Sequence, residues 1–252
     1  MILYFSASGN TRYIAELIAE KLGDECIDLG VRIRDGDFTR VTSKKPFVIC
    51  SPVYICEMPV MLRDYLKRLR FRGNRNVYFV FTSGGYAGMS GSLAKGLFKR
   101  KGMRYMGHAE LTMPGNHIVS NAYPQPSPKE CSRRISAAAD ETGHIAAVIR
   151  HGGRLKARHV FLFEKLVILP FNPLWRKFIS TDGKFFTTEK CIGCSKCSRI
   201  CPLHNITMKD GRPVWGGSCD HCMACILNCP FEAIEFGSIT QTKEKYNIRH
   251  YV

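Results

Sequence analysis

A run of four cysteines and a proline is written twice in this 252-residue chain, and no other feature restricts the fold so tightly. Cys191-Ile-Gly-Cys194-Ser-Lys-Cys197-Ser-Arg-Ile-Cys201-Pro202 returns as Cys219-Asp-His-Cys222-Met-Ala-Cys225-Ile-Leu-Asn-Cys229-Pro230. Each cysteine recurs 28 residues after its counterpart, as do the proline and Ile206/Ile234. Self-similarity at a fixed offset marks a repeated structural unit. The doubled spacing C-x2-C-x2-C-x3-C-P is the ligand pattern of two 4Fe-4S cubes. Three thiolates in one tight loop cap three irons, and the fourth iron takes the cysteine before the proline of the other run. On that pattern Cys191, Cys194, Cys197 and Cys229 hold one cluster, and Cys219, Cys222, Cys225 and Cys201 hold the other. Zinc would use the C-x2-C pairs and leave the third and fourth cysteine of each run unexplained. Disulfides need an oxidising compartment, and Met1–Phe5 is too short and too uncharged for a secretory signal.

The stretch from about residue 188 to 237 resembles the bacterial two-cluster ferredoxins. The remainder is a globular chain, 45% hydrophobic and so able to build a core. No apolar run reaches the roughly 18 residues of a membrane span; Val160–Leu169 comes nearest and is broken by Glu164-Lys165 and Pro170. A cytoplasmic, reducing location is expected. The net charge of +16 is concentrated outside the cysteine region: residues 1–152 carry 22 Lys/Arg against 13 Asp/Glu, and residues 153–188 carry 7 against 2. A basic surface attracts acidic proteins, nucleic acid or anionic lipid.

Met1–Phe5 reads as a buried strand, Ser6-Ala7-Ser8-Gly9-Asn10-Thr11 as a loop, and Arg12–Leu22 as a helix with Ile14, Leu17, Ile18 and Leu22 on one face. Hydroxyls and backbone N–H groups at the positive end of a helix suit a phosphate; an ordinary turn with a serine cap is the simpler alternative. There is no phosphate-loop lysine and no G-x-G-x-x-G, which argues against ATP and dinucleotides. Lys45–Cys50 and Val77–Thr82 read as further buried strands, ending at Ser51-Pro52-Val53-Tyr54 and at Thr82-Ser83-Gly84-Gly85-Tyr86. Ligands of an open parallel sheet sit beyond the carboxyl ends of its strands.

Residues 1–152 resemble a flavodoxin, basic where free-standing flavodoxins are acidic. The resemblance implies an FMN site. Ser6, Ser8 and Thr11 would give hydroxyls to the phosphate, and Ala7, Gly9 and Asn10 backbone N–H groups. Pro52, Val53, Tyr54, Thr82, Ser83, Gly84, Gly85 and Tyr86 would lie along the isoalloxazine ring, with the two tyrosines beside it. It implies an α/β fold, a flavodoxin-like doubly wound parallel sheet of order 2-1-3-4-5, with a small C-terminal α+β two-cluster ferredoxin domain. The whole chain is similar to the flavodoxin–ferredoxin fusions of anaerobes. Residues 153–184 form a connector expected to pack between the domains, 185–237 the cluster domain, and 238–252 a polar, basic tail.

The helix over Met58–Leu69 has an apolar face and a basic one, continued by Arg70, Arg72 and Arg75; Lys95, Lys99, Arg100, Lys101 and Arg104 form a second basic run. Such runs read as solvated faces or as a docking patch for an acidic redox protein of ferredoxin or flavodoxin type. No nucleic-acid recognition motif accompanies them. Basic and aromatic residues alternate in the connector, a pattern also taken by membrane-surface segments, with interdomain packing the leading expectation. Cys56 lies beside the expected flavin and His221 inside a cluster loop, either as a redox participant or as filler.

A cube passes one electron at a time and a flavin holds one or two. The leading expectation is therefore an electron-transfer protein that relays electrons between clusters and FMN, serving a redox partner or a partner oxidoreductase. The alternatives are an FMN-dependent reductase of a small-molecule acceptor fed by its own clusters, and a redox sensor without turnover.

Overall fold

The computed structural model describes residues 1–121, 124–156, 158, 160–178 and 181–252. The N-terminal unit runs β1 (Ile2–Tyr4), α1 (Asn10–Leu22), β2 (Cys26–Asp28), α2 (Leu29–Arg34), β3 (Val41–Ser43), β4 (Phe47–Pro52), α3 (Val60–Arg68), β5 (Phe71–Gly73), β6 (Asn76–Ser83), α4 (Ser90–Arg100), β7 (Arg104–Thr112) and α5 (Pro128–Arg150). Its parallel sheet has the order β2-β1-β4-β6-β7, the doubly wound 2-1-3-4-5 arrangement that the resemblance implies. Side chains alternate between two cores. Ile2, Tyr4, Val48, Cys50, Tyr78 and Val80 face α1 and α5; Leu3, Phe5, Phe47, Ile49, Phe79 and Phe81 face α2, α3 and α4. Burial on both faces explains why β4 and β6 read as unbroken apolar runs. Phe79 meets Phe98 edge-on at 5.2 Å, a geometry worth about 0.5–1.5 kcal/mol beyond burial.

One glycine closes this unit. The register of β6 and β7 slips between Val77↔Tyr105 and Phe79↔His108, with Gly107 at φ 100°. A Cβ there would lie 1.9 Å from the Leu155 carbonyl oxygen, because Leu155 N–H donates to Met106 O at 3.0 Å. Gly107→Ala is expected to destabilise by about 3 kcal/mol or more, since backbone strain and a backbone collision add. Gly36→Ala, at φ 62° with open space around it, should cost only the left-handed term of about 1–2 kcal/mol. Denaturation midpoints of the two variants check this; equal losses would remove the collision from the account.

The rest runs α6 (Leu162–Phe178), β8 (Phe185–Thr187), α7 (Lys196–Ile200), β9 (Ile206–Lys209), β10 (Arg212–Trp215), α8 (Ala224–Leu227), β11 (Ile234–Phe236) and a 3-10 turn over Ile248–His250. The 28-residue offset survives in the backbone. Thr187 pairs with Ile234 in β8–β11, and the residues at the matching offset, Trp215 and Ile206, pair in β10–β9. Left-handed φ values recur at Gly193/His221, Ser195/Met223 and His204/Glu232. The cluster unit is thus two copies of one half, each giving a strand to the other.

The connector contains a helix, since α6 continues through Pro170 and Pro173. Residues 238–252 are polar in sequence but docked in space. Tyr246 and Ile248 are each 4% exposed and belong to the core around α1 and α5. Lys245 is buried, with its Nζ 2.8 Å from Glu235 Oε2. Two apolar side chains among polar neighbours give little signal at the end of a chain.

Candidate functional site

The loop Ser6–Thr11 leads from β1 into α1, whose N-terminus is Gly9 at φ 94° with no side-chain cap. The serine-cap alternative therefore fails, and the first-turn amides of α1 are left for an anion. The hydroxyls are fixed from elsewhere. Ser8 Oγ accepts from Asn116 Nδ2 at 2.8 Å, and Thr11 Oγ1 lies 2.8 Å from Thr82 Oγ1. Ser6, Ala7, Ser8, Asn10, Thr11, Pro52, Val53, Thr82, Ser83 and Gly84 line one pocket of about 350 Å³ together with Met113–Asn116. Three strand ends expected to converge do converge. The fourth contributor, at the end of β7, carries no motif of its own, and its place after a parallel strand was the signal available.

Gly9, Tyr54, Gly85 and Tyr86 lie outside that lining. Tyr86 OH donates to Glu164 Oε2 at 2.5 Å, and the Arg158 guanidinium sits 4.6 Å from its ring centre. Arg158 and Tyr86 hold the Glu164 carboxyl low, at about 2. Tyr54 begins a tight turn whose central residues, Ile55 and Cys56, are both left-handed. Asn172 Nδ2 of α6 donates to Ile55 O at 2.7 Å, and Met89 N–H to Cys56 O at 2.8 Å. Burial, with Glu57 nearby, pushes the Cys56 thiol up, which works against thiolate chemistry.

The cysteines form two groups that cross the runs. Cys191, Cys194, Cys197 and Cys229 line one pocket of about 360 Å³. Cys201 lies among the other three: burial pushes the thiols of Cys219 and Cys225 up to about 12, and the Cys201 charge adds to both. Among the described residues no three His, Cys, Asp or Glu side chains converge closely enough to share one metal ion. Cys191, Cys194, Cys197 and Cys229 border that pocket, and four thiolates of this kind are the donor set of a cube. The buried Trp215 indole N–H finds no nitrogen or oxygen acceptor; it faces the Cys225 sulfur and offsets a small part of the rise that burial causes in that thiol. A cluster-bound thiolate is an acceptor for it. The donor set and this donor both fit a cube. His221 is buried, its imidazole held neutral by desolvation, with Nε2 donating to Thr181 O at 2.9 Å.

The two sites touch. Tyr54 OH reaches Cys222 O at 3.4 Å, and burial followed by the charges of Cys222, Asp220 and Cys219 raises the phenol far above its usual range. Asp220 Oδ2 accepts from Met61 N–H at 3.3 Å. Asn228 Nδ2, beside Cys229, donates to Ala7 O at 2.9 Å. Ile248 N–H donates to Ser8 O at 3.3 Å, and Tyr246 OH to Asn10 Oδ1 at 2.6 Å. Nothing in the local sequence marks Asn228 or Ile248 as partners of the Ser6–Thr11 loop; only the docking of the domains does.

The chain matches the model of a flavodoxin domain over residues 1–95 and that of a 4Fe-4S dicluster domain over residues 190–234. No curated protein matches it significantly. Similar solved structures include the Trp repressor binding protein of Bacillus subtilis, at 15% identity, covering 57% of this chain and 96% of that one with a TM-score of 0.37. They also include two-electron reduced Megasphaera elsdenii flavodoxin, at 18% identity over 56% of this chain and 99% of that one with a TM-score of 0.34. An azoreductase from Bacillus anthracis is 10% identical over 57% of this chain and 97% of its own, with a TM-score of 0.36. With its doubly wound sheet and its two domain matches, the chain joins a flavodoxin domain to a 4Fe-4S dicluster domain, the make-up of a flavodoxin–ferredoxin fusion.

Proposed function

We propose that the chain holds FMN at Ser6–Thr11, Pro52–Val53 and Thr82–Gly84 and two 4Fe-4S clusters at its eight crossed cysteines, and relays electrons between them for a redox partner. The observation that carries this reading is Tyr54: it leaves the loop after β4 and ends on the backbone of Cys222. One side chain spans the distance from the expected flavin loop to a cluster loop. When bound, the flavin supplies the conversion between single-electron and paired-electron steps, and the clusters supply single electrons.

The chain's own groups hold and screen. The amides of the uncapped α1 terminus and the Ser8 and Thr11 hydroxyls face the phosphate position. Asn228 locks the Ala7 carbonyl to the cluster unit, so the two sites keep one separation. Tyr54, half-buried, spans from one site to the other through its hydroxyl. Glu164 and Arg158 close the Tyr86 side. A loop turned toward the cluster unit favours the relay over reduction of a small molecule.

The basic runs do not sit at this site. Arg75, Lys101 and Arg104 adjoin the amino ends of β6 and β7, and Arg70, Arg100 and Lys101 line a cleft there. The cofactor loops lie at the carboxyl ends, roughly 25 Å away for the eight residues of β6 at about 3.3 Å each. An acidic partner held on that patch would be tethered rather than placed for electron entry.

Two measurements test the proposal. Ser8→Ala combined with Thr11→Ala is expected to weaken FMN binding tenfold or more, since each lost charge-assisted hydrogen bond is worth about 1.5–3 kcal/mol. Unchanged affinity, followed by flavin fluorescence, would show the loop to be misassigned. After rapid reduction of the clusters, the flavin band should bleach at a rate independent of protein concentration. A rate that rises with concentration means transfer between molecules and ends the relay reading.

A further inference from the structure

The polarity of α6 is inverted. Its inward side carries Glu164, Ile168 and Asn172, bonded to Tyr86, packed near Met89, and bonded to Ile55. Its outward side carries Phe163, Leu166, Val167, Leu169 and Leu174, which are 66%, 66%, 64%, 51% and 55% exposed. Pro170 and Pro173 are exposed on the same side. Isolated exposed leucines need no explanation, but a contiguous apolar face on one helix marks a surface that something covers.

We propose that α6 lies flat on an anionic lipid surface, with this face at the boundary between headgroups and acyl chains. Charge selects that occupant. Residues 153–188 carry seven Lys/Arg against two Asp/Glu. Both acids are used internally: Glu164 by Arg158 and Tyr86, and Asp182 by Asn205 and Gly217. Arg158 is likewise spent on Glu164, but Arg154 and Lys156 ahead of the helix are exposed and Lys165 lies within it half-buried, so apolar and cationic groups adjoin, the combination that holds interfacial helices to anionic membranes. A second copy of the same face would bring these cations against themselves. No described helix is long and apolar enough to cross a membrane, so α6 rests on the surface. The inference concerns α6 alone and stands whether or not the flavin assignment does. Where both hold, the Tyr86 side of the flavin loops faces the membrane through the inner side of the same helix.

The test is co-sedimentation of anaerobically purified, cluster-loaded protein with extruded vesicles of phosphatidylglycerol and phosphatidylcholine, or of phosphatidylcholine alone. The protein should bind the anionic vesicles at least tenfold more strongly, less so at high salt. Leu166→Glu with Leu174→Glu should reduce that binding tenfold or more while leaving cluster absorbance unchanged. Lys156→Glu with Lys165→Glu should weaken it at low salt, and serves as the second variant if the first fails to fold. No binding by the unaltered protein overturns the proposal. So does binding that neither pair of substitutions changes, or a dimer in sedimentation equilibrium that Leu166→Glu with Leu174→Glu dissociates.

Discussion

Replacing Cys201 and Cys219 together by serine is expected to remove one cluster and spare the other, leaving about four irons of about eight. Replacing Cys197 and Cys201, which are neighbours in one run, is expected to remove both. If each run held its own cube, the two outcomes would exchange. The expectation rests on where the thiols stand. Cys201 is close enough to Cys219, Cys222 and Cys225 for its charge to raise all three, while Cys197 feels Cys229 and Cys191. Crossed ligation also follows from the strands, since β8 pairs with β11 and β10 with β9. Each half gives one strand to each ladder and, on the proposed ligation, one cysteine to the other half's cube. Iron and sulfide per chain, measured after gel filtration under anaerobic conditions, decide the matter. A stability difference should accompany the count. Burial pushes the thiols of Cys197, Cys219, Cys222 and Cys225 up, so iron must displace their protons, and the energy of the bound cube then adds to folding. The variant without either cube should lose the β8–β11 and β10–β9 ladders well before the N-terminal sheet melts.

Much of this was legible in the sequence because the chemistry there is local. The cysteine spacing fixes a loop, and the loop's left-handed residues at Gly193, Ser195, His221 and Met223 repeat with it. The long strands β4 and β6 were legible because two-sided burial writes an apolar run. The three-residue strands β2, β3 and β5 were not, since three residues show no period. α6 was hidden by Pro170 and Pro173, which usually end a helix and here do not. The docked C-terminal segment was hidden for a different reason. Tyr246 and Ile248 are held by a core and a loop more than 200 residues away in sequence, and no local pattern records such a contact. Tyr54 shows the limit of position alone: its place after β4 was read correctly, but whether its ring lies along a flavin or against a cluster loop depends on a domain interface.

That interface makes Gly9 the most sensitive residue of the proposed flavin loop. Gly9→Ala is expected to raise the FMN dissociation constant at least tenfold and to free the C-terminal segment for proteolysis. Gly9 sits at φ 94°, where a side chain costs about 1–2 kcal/mol, and about 1.4 kcal/mol is a tenfold change in affinity. A Cβ there would lie 2.3 Å from Ile248 Cγ2, so Ile248, buried at 4% exposure, must leave or the loop must move. The two contributions separate in a double variant. Ile248→Ala by itself removes a buried side chain and costs about 2–5 kcal/mol of stability, but leaves the loop its shape. Added to Gly9→Ala, it makes room for the new methyl while leaving the strained φ, so flavin affinity should recover in part and never fully. Full recovery would assign the whole effect to the collision. No recovery would assign it to the backbone alone, and an unchanged dissociation constant in Gly9→Ala would mean that the phosphate is bound somewhere else.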